Sequence, residues 1–178
     1  MLKGLSAGKN LTIYNIIHKY FFTEFFVIKI LFICHGNICR SPMAEFVMKE
    51  LVRRAGCEAD FLIESAATSR EEIGNDIHYG TRTKLRQMGI PFTRRAARQI
   101  RPDDYEKYDY LVAMDDENLY YMNRMWAPDP DHKIKMLLSF TGKDRDIADP
   151  WYTGNFDQTY EDVLEGCEAF LNFCLGQR

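Results

Sequence analysis

The strongest constraint in this chain is an abrupt change of backbone regime. Ile28-Lys29-Ile30-Leu31-Phe32-Ile33 is a short, nearly continuous apolar run of the kind buried on both faces of a parallel sheet. Ser41-Pro42 then opens a helical pattern, with Met43, Phe46, Val47, Leu51 and Ala55 at helical spacing, Pro42 in the first turn and Gly56 past the end. Between strand and helix stands Cys34-His35-Gly36-Asn37-Ile38-Cys39-Arg40-Ser41. A strand-to-helix turn points successive backbone N–H groups inward at the positive end of the helix, where phosphate binds readily. The same field stabilises a thiolate. A thiolate inside a phosphate cradle is equipped to attack phosphorus.

The remaining pattern alternates in the same way. Phe61-Leu62-Ile63 reads as a second strand running into the small residues Ser65-Ala66-Ala67-Thr68-Ser69. A helix is predicted from His78 to Met88, stopping at Gly89-Ile90-Pro91. Tyr108 to Met114 reads as a third strand that delivers Asp115-Asp116 at its end, followed by a helix from Asn118 to Met125. Lys135-Met136-Leu137-Leu138 reads as a fourth strand, and a last helix runs from about Thr159 to Leu175. Strands alternating with helices predict an α/β fold: one domain, with a four-stranded parallel sheet flanked by helices on both faces. In such sheets the working site lies beyond the carboxyl ends of the strands, where Cys34, Ser65 and Asp115 all fall.

Composition removes several classes. The 178 residues are 46% hydrophobic and 28% charged, which excludes disordered and fibrous chains. A net charge of −3, with no Lys/Arg cluster among aromatics, argues against nucleic acid as a partner. An odd count of five cysteines, in a chain too large to need disulfide staples, predicts free thiols in a reducing cytoplasm. Residues 1–27 are apolar in patches, but His18, Lys19 and Glu24 interrupt them and Lys29 follows just beyond, so no membrane span is expected. Nor is a signal peptide evident. This extension stands as an interfacial helix, a plain extension, or residues not natively translated. The last two are favoured together, with a start at Val27 and a working domain over 28–178.

The chemistry concentrates in two places. Six residues closing a half-ring around a phosphate (His35, Gly36, Asn37, Ile38, Cys39 and Ser41 among the groups around it) leave the Cys34 sulfur beneath phosphorus and Arg40 gripping two oxygens. Arg40 cannot lose its charge, so it still grips as the oxygens rearrange. Ser41 can hydrogen-bond the sulfur, cap the helix, or do both. The second place is Asp149-Pro150-Trp151-Tyr152-Thr153-Gly154. Asp149, before a proline and so held out of helical geometry in a loop, is the candidate general acid, and Trp151 and Tyr152 can sandwich a flat leaving group. His35 reads as a rim residue rather than a base. Zinc on Cys34, His35 and Cys39 lacks a fourth ligand, since Cys167 and Cys174 are spaced as core positions and Cys57 has no partner. No metal or cofactor is expected. Cys39 is either a small packing residue under the loop or a resolving thiol for an oxidised Cys34.

Assembled in order, these segments resemble the low-molecular-weight protein tyrosine phosphatase family. The resemblance is carried by Ile33 to Pro42, Ser65-Ala66-Ala67-Thr68-Ser69, Ile73-Gly74-Asn75, Ala97-Arg98-Gln99-Ile100, Asp109-Tyr110 with Met114-Asp115, and Asp149-Pro150, over the chain from about Ile28 onward. It implies a phosphocysteine on Cys34, Arg40 as phosphate ligand and Asp149 as general acid. It also implies a loop braced by Asn37, Ser41 and Ser65, and phosphotyrosine proteins as substrates of a monomer or weak dimer. Two positions depart from the family. A histidine that holds the loop asparagine is replaced by Arg95, with Arg94 as an alternative alignment, and an aromatic pocket wall is replaced by Glu71. Trp151 is then expected to carry more of the ring contact, and Glu71 and Glu72 to disfavour acidic phosphopeptides. Two relatives of the same fold are the alternatives. An arginine phosphatase tends to carry threonine where Ile38 stands, and an arsenate reductase needs two further cysteines in a mobile segment. A phosphate-recognition module would be expected to lose Cys34, Arg40 or Asp149, and all three are present.

Overall fold

The computed structural model describes residues 27–177, so the N-terminal extension before Val27 lies outside the described residues. Strand β1 (Ile28–Cys34) is the centre of the sheet. Ile30, Phe32 and Cys34 enter the core on one face, while Leu31 and Ile33 enter a second core on the other. That double burial is why the run is nearly all apolar.

β1 pairs in parallel with β2 (Phe61–Ala67) and β3 (Tyr110–Ala113), and β4 (Ile134–Met136) adds in parallel outside β3, giving the order β2-β1-β3-β4. The helices are α1 (Arg40–Arg54), α2 (Tyr79–Gln87), α3 (Asp104–Lys107), α4 (Asp116–Trp126), α5 (Pro150–Thr153) and α6 (Phe156–Gly176). Met43 and Val47 of α1 and Val163, Cys167 and Phe170 of α6 fill the core on one face; Tyr105 of α3 and Met122 and Trp126 of α4 fill the other. The chain leaves β1 toward β2 and returns on the far side as β3. Its order therefore reverses at the carboxyl ends of β1 and β3, which is where an open α/β sheet places its ligand.

Element bounds differ from expectation for local reasons. β3 starts at Tyr110 because Tyr108 is already buried and the Asp109 carboxylate accepts the Lys29 N–H at 2.8 Å. β4 stops at Met136 because Leu137 and Leu138 turn down in a 3-10 segment (Leu137–Thr141) and pack beneath α6. There Gly166 is required, since a Cβ on it would lie 2.6 Å from Leu137 Cγ. Asp149-Pro150 is not a plain loop: Asp149 is the N-cap of α5 and Pro150 its first residue. Ser41 does not cap α1, which begins one residue earlier, at Arg40.

Two packing features hold α6 and the segment leading to Asp149. Phe170 is fully buried, stacked on Phe140 at 4.3 Å and meeting Phe32 and Tyr110 edge-on. Phe170→Ala should cost about 3–5 kcal/mol in denaturant unfolding; a loss under about 1 kcal/mol would mean the cluster collapses around the gap. Arg145 donates to both oxygens of buried Asp162, at 2.9 and 2.6 Å. This bidentate bond holds the Asp162 carboxyl below the usual carboxylate range, against its burial. A folded-state pKa below the unfolded one gives stability that is present above about pH 4 and lost as pH falls through the folded value. Asp162→Asn should therefore show a shallower fall of Tm on acidification than the parent; parallel curves would contradict the linkage.

Candidate active site

Cys34 ends β1, and the chain then wraps back on itself to Arg40, the first residue of α1. The loop's carbonyls are held from outside. Cys34 O accepts from Thr68 N (2.9 Å), His35 O from Ser69 N (3.0 Å), and Ile38 O from His78 N (2.9 Å). Asn37 O accepts from Arg95 Nη1 (3.4 Å), and Cys39 O from Met43 N (3.1 Å) and Thr81 Oγ1 (3.4 Å). Carbonyls turned outward leave peptide N–H groups facing the sulfur, the arrangement that makes an anion nest. Asn37 sits at φ 58°, a left-handed conformation that asparagine tolerates better than most residues. Its N–H points at Cys34 Sγ (3.3 Å), and Ser41 Oγ lies 3.0 Å from the same sulfur.

Asn37 is the hub of the bracing behind the loop. Its Nδ2 donates to Ser41 Oγ and Ser65 Oγ, both at 2.9 Å, and its Oδ1 accepts from Arg95 Nη2 (2.8 Å) and Arg98 N (3.2 Å). The full capacity of the amide is thus used. Ser65 Oγ passes its own proton bond to buried Glu45 at 2.6 Å. Ser65 therefore stands where loop support is expected, whereas the side chains of Asn37 and Ser41 lie behind the cradle rather than in it. The guanidinium at the expected histidine position is Arg95, which also donates to Ser65 O (3.1 Å); Arg94 has a side chain 91% exposed. Glu45 goes unassigned in the sequence alone, although a charge inside the buried stretch Pro42–Met48 is a signal. Lys49 at 2.5 Å and Arg95 at 3.9 Å compensate it.

Arg40 is 2% exposed and faces carboxylates from the segments that follow β3 and β4. Nη1 donates to Asp115 and to Ile147 O (3.0 Å), and Nη2 donates to Asp149 Oδ2 (2.5 Å). Burial works against the guanidinium's charge, but Cys34, Asp149 and Asp115 overcome it and push its pKa up. Its Nε is buried without a partner among the described residues. Asp115, at the end of β3, also caps α4 by accepting from Asn118 N (2.6 Å). Its strand-end position is readable from sequence; its pairing with Arg40 is not.

The pocket above the sulfur has a floor of Cys34, Gly36, Ile38 and Cys39. One wall is His35, Glu71 and Glu72, with His35 Nε2 3.1 Å from Glu71; a Cβ at Gly36 would crowd Glu72 Cγ at 3.1 Å. The other wall is Asp149, Trp151 and Tyr152, the two rings being 57% and 83% exposed. Cys39 packs with Ile38 and Ala97 against Phe156, and burial, with Cys34 and Asp149 nearby, pushes its thiol well up. Among the described residues no set of three or more His, Cys, Asp or Glu is gathered as for a metal ion.

The model of the family described as low molecular weight phosphotyrosine protein phosphatase matches residues 29–176. The low molecular weight protein-tyrosine-phosphatase YfkJ of Bacillus subtilis is 40% identical over 148 residues, covering 82% of this chain and 94% of the relative. The YfkJ crystal structure aligns with a TM-score of 0.82 at 38% identity, covering 85% of this chain and 97% of that one. The low molecular weight phosphotyrosine protein phosphatase of Gallus gallus is 39% identical over 147 residues, covering 80% and 92%. A Drosophila arginine phosphatase aligns with a TM-score of 0.74 at 34% identity, covering 82% and 97%. Such a match, spanning the cradle, its bracing and the segment carrying Asp149, means that this chain belongs to the low molecular weight phosphotyrosine protein phosphatase family.

Proposed function

We propose that this protein hydrolyses phosphotyrosine in proteins, and small aryl phosphates, through a phosphocysteine intermediate on Cys34. The sulfur attacks phosphorus as the aryl oxygen departs, and Asp149 gives that oxygen its proton. Asp149 then takes a proton from water, the water oxygen attacks phosphocysteine, and inorganic phosphate leaves with the thiolate restored. The loop N–H groups and Arg40 hold the equatorial oxygens throughout, where charge stabilisation dominates phosphoryl transfer. Ser41 stabilises the sulfur as it departs. The observation that carries this reading is the buried Arg40 Nε, without a partner among the described residues, beside a loop whose carbonyls are turned away from Cys34 Sγ.

The alternatives are less well supported. Ile38, buried and apolar on the pocket floor, suits a phenyl ring better than the guanidinium of phosphoarginine. Cys167 and Cys174 are fully buried on α6, poorly placed for the disulfide relay of an arsenate reductase. Action in the cytoplasm, as a monomer or weak dimer, goes with this reading, since a reducing compartment keeps Cys34 a thiol. Among the described residues no helix is long and apolar enough to cross a membrane.

Hydrolysis of p-nitrophenyl phosphate at mildly acidic pH tests the mechanism. Turnover should persist in EDTA, vanish in Cys34→Ser and fall about 100-fold in Asp149→Ala. Activity retained by Cys34→Ser would refute it. The acidic wall gives a second expectation. Glu71→Lys should raise kcat/KM on acidic phosphotyrosine peptides about 2–5-fold, the scale of an exposed charge contact; an unchanged value would remove Glu71 from peptide selection.

A further inference from the structure

We propose that His78 is a positioning residue for the proton-donating segment: its ring clasps Trp151 and Phe156 to the phosphate-binding loop and so sets the Asp149 carboxyl at the leaving-group side of the pocket. The inference rests on the phosphatase reading above, with Asp149 as the acid.

His78 belongs to both halves of the site at once. Its backbone N–H donates to Ile38 O in the loop at 2.9 Å, and its Nδ1 accepts from Gly80 N at 3.2 Å as the N-cap of α2. Those two bonds fix the backbone and the ring plane. The ring then stacks on Phe156 at 5.3 Å with an interplanar angle of 8°, and meets Trp151 edge-on at 5.7 Å. Phe156 opens α6 immediately after the segment carrying Asp149, and it is pressed so closely on Gly80 that a Cβ there would overlap its ring.

This contact matters because, beyond the Arg40–Asp149 ion pair at its N-cap, α5 has little else to hold it. Pro150 is its sole buried residue, and Trp151 and Tyr152 are exposed. Upstream the segment is fastened by Arg145 to Asp162. Downstream the fastening is the His78 ring. Trp151 N donates to Asp149 Oδ1 at 3.0 Å, so the position of Trp151 is transmitted to the carboxyl through one peptide. An acid displaced from the leaving oxygen by an ångström loses its contribution without any loss of the loop that binds phosphate.

The readout is leaving-group dependence, which a merely structural role would not move. With kcat/KM measured over a series of aryl phosphates, His78→Ala should lose about 10-fold on phenyl phosphate and less than about 3-fold on 2,4-dinitrophenyl phosphate, whose phenolate needs no proton. His78→Phe keeps the ring without the cap acceptor and should keep the parent's slope. His78→Asn keeps an acceptor for Gly80 N without the ring and should steepen the slope as alanine does. These two variants carry the comparison if the alanine variant does not fold. Equal losses across the series, or a normal slope in His78→Asn, would overturn the proposal alone. A parent enzyme inactive on every aryl phosphate would overturn the phosphatase reading and this proposal with it.

Discussion

The site depends on one arrangement of backbone dipoles. A peptide chain that encircles an anion must turn its N–H groups in and its carbonyls out, and every outward carbonyl needs a donor elsewhere. Here those donors come from the strand-end segment after β2, from the start of α2, from Arg95 and from the first turn of α1. The loop's shape is therefore fixed by residues distant in sequence, and Cys34 sits inside a rigid frame rather than on a flexible turn. Asn37 is where the frame is most concentrated. It combines a left-handed backbone with an amide that ties Ser41, Ser65, Arg95 and Arg98 together.

Charge is balanced on both sides of that frame. Behind it, buried Glu45 is compensated by Lys49 and Arg95 and satisfied by Ser65. In front of it, the Arg40 fork is shared between Asp115 and Asp149, which arrive on loops after β3 and β4. A buried guanidinium facing two carboxylates is held in place, and among the described residues its Nε has no partner, which leaves a donor for an anion in the proposed reaction. Asp149 thus answers to three contacts: Arg40, the amide of Trp151 and, through Trp151, the His78 ring. In the proposed mechanism, phosphate binding and proton donation are coupled through that one carboxyl.

What was legible in the sequence is what is local. The run Ile28–Ile33, the loop and the helix after it declare themselves because strand, turn and cap signals lie within one short segment. The parallel four-stranded sheet follows from their alternation with helices. Asp149 is readable only beside Cys34 and Arg40, since an Asp-Pro pair by itself is an ordinary turn. β4 ends at Met136, short of the expected Leu138, because Leu137 and Leu138 continue the apolar run while turning under Gly166, a tertiary contact no local pattern records. Glu45, the Ile147 carbonyl and the His78 ring act across separations of 20 residues or more, from Glu45–Ser65 at 20 to Arg40–Ile147 at 107, so only the fold reveals them.

The central claim is that Cys34 becomes covalently bonded to phosphorus during turnover. Rapid quench of the enzyme with a phosphoryl-labelled aryl phosphate, followed by denaturation and peptide mapping, tests it directly. Near-stoichiometric label on the peptide containing Cys34, absent from Cys34→Ser, is the predicted result. An enzyme that turns over while carrying no label, or that carries it on another residue, would contradict the account.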